Sequence, residues 1–224
     1  LVQGFQELAD TPFAGGINAL CWRRTLPGDF GEIVACLGKG DGQPVVTLDP
    51  SLLDALPLTA AGRTALAGMM DDVQLLGARG LAPALNLIHA YPRDQRPGPV
   101  ATDVFSFHVD SAPCETDTWL CTYHGPASEG LCNDQARRRV DVPATRAALL
   151  AAYGGADDGG FQDFLSEHAY DLHYAALPHA RPHSFGIGHL WRIAVAYPGC
   201  QVPPSIHRAP PTQPGDPPRL LLIS

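Results

Sequence analysis

His108-Val109-Asp110 places two metal-ligating side chains two residues apart. If Phe105–Asp110 runs as a strand, alternation puts residues i and i+2 on one face, so His108 and Asp110 point the same way. A second imidazole stands far downstream at His207, and a guanidinium follows at Arg219. Two histidines and one carboxylate on one face of an ion leave positions open opposite, an arrangement that suits non-haem Fe(II) oxygenases. A forked guanidinium on the following strand can then grip the carboxylate of a bidentate oxo acid. The expected metal ligands and catalytic centre are therefore His108, Asp110 and His207, with Arg219 as the carboxylate anchor. A His-x-Asp pair also occurs on ordinary surfaces, so the elements that would bring these residues together carry the weight.

The chain has 224 residues, 45% of them hydrophobic, enough for one sizeable core and a single domain over residues 1–224. Its 23 glycines and 22 prolines predict many turns and few long helices. Residues 1–82 read as a mostly helical part. Asp29–Leu37 suits a short helix, and Asp49 before Pro50 is a helix start. Thr59–Leu76 follows with Leu66, Met69, Met70, Val73 and Leu76 near helical spacing. From residue 83 the pattern turns to strands: Ala84–Ala90, Val104–Asp110, Thr118–Tyr123, Ile187–Tyr197, Val202–His207 and Arg219–Ile223. In the first of these, Leu85, Leu87 and His89 share one face and Asn86 and Ile88 the other. A helical insert at about 143–170 comprises Pro143–Tyr153 and Phe161–Tyr170, the second capped by Asp157 or Asp158. Proline-rich loops occupy 92–99 and 210–218. Late strands after an early helical section predict a mainly β protein with helices (α+β), the helices packed on an antiparallel barrel or jelly roll.

A formal net charge of −8 with only 15 Lys+Arg, and no basic stripe, argues against a nucleic-acid partner. No apolar run is long enough to span a bilayer, so no membrane partner is expected. Leu1-Val2-Gln3-Gly4 lacks the charged and apolar regions of a secretory signal, which makes the cytoplasm the expected location. The six cysteines, at 21, 36, 114, 121, 132 and 200, form no Cys-x-x-Cys pair, so free thiols are expected, with a bridge among Cys114, Cys121 and Cys132 left open. Tyr123 has two readings, a hydrogen bond to a cosubstrate carboxylate or a core tyrosine with a satisfied hydroxyl. Arg208 adjoins His207 and should face away from it. His179 and His183 have zinc-like spacing but lie in a loop, and His168 and His173 read as ordinary. His124 and Glu129 are candidate substrate contacts, and residues 92–99 and 181–188 are candidate lids.

Five stretches together carry a family resemblance. They are Gly16-Ile17-Asn18-Ala19-Leu20-Cys21-Trp22-Arg23-Arg24, Phe107-His108-Val109-Asp110, Leu120-Cys121-Thr122-Tyr123-His124-Gly125-Pro126, Ile206-His207-Arg208-Ala209-Pro210-Pro211 and Pro218-Arg219-Leu220-Leu221-Leu222. The chain resembles the Fe(II)/2-oxoglutarate-dependent dioxygenase superfamily, and most closely the domain of unknown function 1826 family. The resemblance implies a double-stranded β-helix (a cupin-like jelly roll). It also implies Fe(II), 2-oxoglutarate as cosubstrate and dioxygen. The implied reaction is hydroxylation or another oxidation of a C–H bond in a small molecule, such as an amino acid or peptide-like metabolite. The chain departs from the family pattern at Ala127-Ser128-Glu129-Gly130, where Gly-Thr-Glu-Trp is expected, and it lacks the Arg-x-Ser of some 2-oxoglutarate enzymes, since Leu220-Leu221 follow Arg219. The residues by themselves also admit a non-enzymatic zinc- or nickel-binding cupin-like protein, or an enzyme using its metal as a Lewis acid.

Overall fold

Short apolar strands buried on both faces organise the molecule. The computed structural model describes residues 1–38, 42–95, 98–212 and 215–224, so parts of the two proline-rich loops (96–97 and 213–214) lie outside the described residues. In chain order the strands are β1 (Ala19–Trp22), β2 (Val45–Thr47), β3 (Ala84–Ile88), β4 (Asp117–His124), β5 (Glu129–Leu131), β6 (Ala136–Arg138), β7 (Tyr174–Ala176), β8 (His183–Ser184), β9 (Leu190–Ala194), β10 (Ile206–Arg208) and β11 (Arg219–Ile223). The helices are α1 (Phe5–Asp10), α2 (Phe30–Leu37), α3 (Pro50–Asp54), α4 (Ala60–Gly77), α5 (Pro143–Tyr153) and α6 (Gly159–Glu167). The protein is thus α+β with antiparallel sheets. A six-stranded sheet runs β1-β9-β4-β11-β3-β2, a three-stranded sheet runs β10-β5-β8, and β6 pairs with β7. No described helix is long and apolar enough to cross a membrane.

Alternation divides the large sheet into two working faces. Trp119, Cys121 and Tyr123 of β4, Leu220 and Leu222 of β11, and Leu85 and Leu87 of β3 bury against Ile33 and Val34 of α2 and Leu66, Met69 and Leu76 of α4. On the opposite face, Ile88, Leu120, Ile193 and Leu221 pack against Phe185. Caps fix the helices: Asp29 accepts from Glu32 N at 3.0 Å, Asp49 from Ser51 N at 2.8 Å and Asp158 from Gly160 N at 3.0 Å. Glu32 accepts from both the amide and the hydroxyl of Thr59, each at 2.6 Å, which ties α2 to the start of α4.

Several expected boundaries move, each for a local reason. The strand over 104–110 shrinks to isolated bridges at His108. Asp103 turns the chain ahead of it, its carboxylate accepting from Phe105 N at 3.1 Å and its carbonyl from Ser106 N at 3.2 Å. The strand expected from Val202 begins only at Ile206, because Pro203 and Pro204 have no N–H to donate to a ladder. The helix expected to reach Tyr170 ends at Glu167, before left-handed Ala169 (φ 57°) and a 3-10 turn over Tyr170–Leu172. The mostly helical first part also supplies β1 and β2, the two edges of the large sheet.

One buried ion pair locks the helical layer to the sheet. Asp72 on α4 is 1% exposed, and Arg24 grips it through both guanidinium nitrogens, with Nη1 donating to Oδ1 at 2.7 Å. Tyr123 donates its hydroxyl to Asp72 Oδ2 at 2.7 Å. Removing one partner of such a pair leaves the other charge buried and alone. Asp72→Ala is therefore expected to cost about 3–5 kcal/mol, read as a lowered urea midpoint. A change under about 1 kcal/mol would mean that Arg24 escapes to water.

Candidate metal centre

His108 and His207 meet as an antiparallel pair. The amide of each donates to the carbonyl of the other at 2.9 Å, which places both imidazoles on one face with ring centroids 4.6 Å apart. Both belong to a Ser-x-His sequence, and both rings are held alike. Nδ1 of His108 lies 2.7 Å from the Ser106 carbonyl, and Nδ1 of His207 lies 3.2 Å from the Ser205 carbonyl. A carbonyl accepts only from a protonated Nδ1, which leaves Nε2 of each ring as the atom available to a metal. Burial holds His207 below the ordinary imidazole value, against the opposing pull of the Asp110 carboxylate.

Asp110 completes the group. Its Oδ2 is 3.7 Å from His207 Nε2, and the ligating atoms of His108, Asp110 and His207 lie within 4.8 Å of one another. Bonds of the usual length on one face of an ion set donors roughly 3 Å apart, so modest side-chain rotation brings all three onto one metal. Two imidazole nitrogens and one carboxylate oxygen form a donor set that could hold a first-row divalent ion. A third histidine flanks the group: His173, 4% exposed, is bridged to His108 with ring centroids 5.7 Å apart. Burial, reinforced by the neighbouring His108, pushes it down to about 4 and keeps it neutral at pH 7.

The three ligands open into a cavity of about 170 Å³ between the sheets, and Arg219 shares it. Arg219 is 3% exposed, and its head donates to three hydroxyls: Tyr91 at 3.1 Å, Thr122 at 2.9 Å and Ser128 at 2.6 Å. Its Nε has no partner, and it forms no ion pair among the described residues. Burial pulls its affinity for the proton below the ordinary guanidinium value. The register between β11 and β4 shifts between Leu220 and Leu221, just past Arg219, and such irregularities recur where a side chain must be re-aimed. Gly125 (φ +79°) closes the turn after β4 against this point. A Cβ there would sit 2.8 Å from the Pro218 carbonyl and 3.0 Å from Arg219 Cα, so only glycine admits the approach.

Among the residues singled out in the sequence, His108, Asp110, His207 and Arg219 share this cavity. Tyr123 does not: of its two readings the structure fits the core tyrosine with a satisfied hydroxyl and corrects the contact with a cosubstrate carboxylate. It lies on the helical face of β4, 1% exposed, with its hydroxyl engaged by Asp72. Thr122, one residue away, faces Arg219 instead. Arg208 turns away from His207 to pair with Glu129 (Nε to Oε2, 2.8 Å), which occupies both residues. His124 is held by the Pro218 carbonyl at 3.1 Å. Residues 181–188 are fastened rather than lid-like, since β8 pairs with β5 and Gly188 N donates to Thr122 O at 2.8 Å. Tyr91, Ser128, Thr118 and His173 join the site unforeseen. None is near a ligand in sequence, and each arrives through strand pairing or a turn.

The cysteines stand apart from the cavity, and all six are free. Burial pushes the Cys21 thiol up to about 11 and the Cys121 thiol up to about 12, which leaves both unreactive. Cys36, Cys114 and Cys132 are exposed. A thiol-disulfide colour reagent at pH 8 is expected to titrate those three quickly in the native protein and all six in denaturant. Rapid reaction of Cys121 in the native state would show that the helical layer opens. Comparison with protein-family models, with curated proteins and with solved structures finds no match for the chain.

Proposed function

We propose that the protein is a non-haem Fe(II)/2-oxoglutarate-dependent oxygenase that oxidises a C–H bond of a small molecule. The observation that carries the reading is Arg219: a buried guanidinium without a counter-ion among the described residues, in the cavity that also holds two histidines and a carboxylate. A buried cation left with hydroxyls alone calls for an anionic ligand. An acid that also reached the metal would satisfy both halves of the cavity. The strand order supports a double-stranded β-helix. Along the chain β3, β4, β9 and β11 go to the large sheet, while the His108 bridge, β5, β8 and β10 go to the small one, with the metal group between them.

In this reading His108, Asp110 and His207 would hold Fe(II), and Arg219 would take a carboxylate of 2-oxoglutarate. An iron held there would supply the chemistry that links oxidative decarboxylation of the oxo acid to oxidation of the substrate. The protein's own contribution is placement. The Ser106 and Ser205 carbonyls hold the Nδ1 side of each ring and so orient both Nε2 atoms, and Tyr91, Thr122 and Ser128 orient the guanidinium fork. Apolar Leu120, Leu221 and Val104 along the cavity limit water around the reacting groups.

Anaerobic addition of Fe(II) and then 2-oxoglutarate tests this. The expected result is a weak visible charge-transfer band that needs both additions. Tight metal binding with no band on adding 2-oxoglutarate would leave a metal-binding protein and remove the oxygenase.

A further inference from the structure

The three ligands are held in unequal ways. Main-chain carbonyls orient His108 and His207, while a side chain orients Asp110: Thr118 Oγ1 on β4 donates to Asp110 Oδ2 at 2.6 Å. Asp110 needs this more than the histidines do. It lies outside any regular strand, so no pleat alternation fixes its direction. Its main chain is pinned by Ala196, whose N–H donates to Asp110 O at 2.8 Å, but that leaves the side-chain torsions free. The Asp110 side chain is 33% exposed against 11% for His207, so packing restrains it less.

We infer that Thr118 is the positioning residue of the metal centre: its hydroxyl sets the rotation of the Asp110 carboxylate so that Oδ2 faces His207 Nε2. The inference rests on the metal-binding part of the proposed function. It identifies the one group among the ligand-orienting partners that substitution can remove, since the other two are backbone. Holding a ligating carboxylate by an outer hydrogen bond tunes both metal affinity and ligand geometry.

The test is titration of the whole protein with Co(II) alone, followed by its visible ligand-field band, in wild type, Thr118→Val, Thr118→Ser and His207→Ala. Valine keeps the β-branched shape that suits the strand, and serine keeps the hydroxyl. Thr118→Val is expected to bind Co(II) about 10–100-fold more weakly, with a displaced band, and Thr118→Ser to restore both. Thr118→Val titrating like wild type, while His207→Ala loses the ion, overturns this inference and leaves the metal site standing. Serine and valine variants that fail alike would show that keeping the hydroxyl does not restore the site and would overturn it too. Wild type that takes up no Co(II) overturns the metal site and this inference together.

Discussion

His207→Ala is expected to abolish tight metal binding while leaving the protein folded. The substitution takes away one of three donors, and the remaining histidine and carboxylate form an incomplete face. Removing an outer-sphere partner alone weakens a site by about 10–100-fold, so removing a ligand should exceed that. The fold should survive because the contact of His207 with His108 that organises the small sheet is main chain to main chain, which alanine retains. A buried imidazole held below its ordinary value also contributes nothing favourable when it protonates. Calorimetric titration with Fe(II) under nitrogen, paired with a thermal melt, reads both halves. A variant that still bound Fe(II) like wild type would move the metal elsewhere and remove the basis for the oxygenase reading. Since the ligands must be deprotonated, wild-type affinity should fall as pH drops, and the variant should show no such dependence.

The meeting of His108, Asp110 and His207 was legible in the sequence, although one premise behind it fails. Strand alternation joins His108 and Asp110 in the sequence, yet the chain turns at Asp103 and leaves residues 104–110 only isolated bridges at His108. They still converge, because His108 pairs with His207 and Thr118 turns the carboxylate inward. Tyr123 shows the opposite failure. Its strand is where the pattern put it, but β4 is apolar on both faces, so hydrophobicity does not say which face meets helices and which meets the cavity. Only the buried Asp72 on α4 decides that, and its partnership with Arg24 spans 48 residues. The residues around Arg219 were hidden for a related reason. The chain lacks a serine two positions after Arg219, and Ser128 supplies a hydroxyl from the turn before β5 instead. Gly130 follows the same logic. Its missing side chain leaves room for His183 Nε2 and Phe185, which a Cβ would meet at 2.6 Å each. Partners set by register become visible only when strands are paired.

Arg219→Met is expected to change the sign of its effect with ligand. Without ligand, wild type holds a charge 3% exposed against three neutral hydroxyls, with Nε unpaired. Desolvation of that charge is not repaid by any carboxylate among the described residues, and methionine fills similar space without it. The metal-free variant should therefore be more stable by about 1–4 kcal/mol, roughly 2–4 °C of Tm for each kcal/mol in a chain of this size. With Mn(II) and excess 2-oxoglutarate the order should reverse. Wild type gains RT ln(1 + [L]/Kd), about 2.7 kcal/mol at a hundredfold excess over Kd. The variant, deprived of a charge-assisted pair of about 1.5–3 kcal/mol, should bind the acid about 10–100-fold more weakly and gain little. Mn(II) affinity itself should stay the same, because Arg219 is not among the ligands. Thermal melts of both proteins under both conditions decide it. A variant less stable than wild type in both, with no response to 2-oxoglutarate in either, would make Arg219 a structural cation. A buried charge that destabilises the empty protein and stabilises the filled one is the signature of a binding group, and Arg219 is the residue where that trade should be measurable.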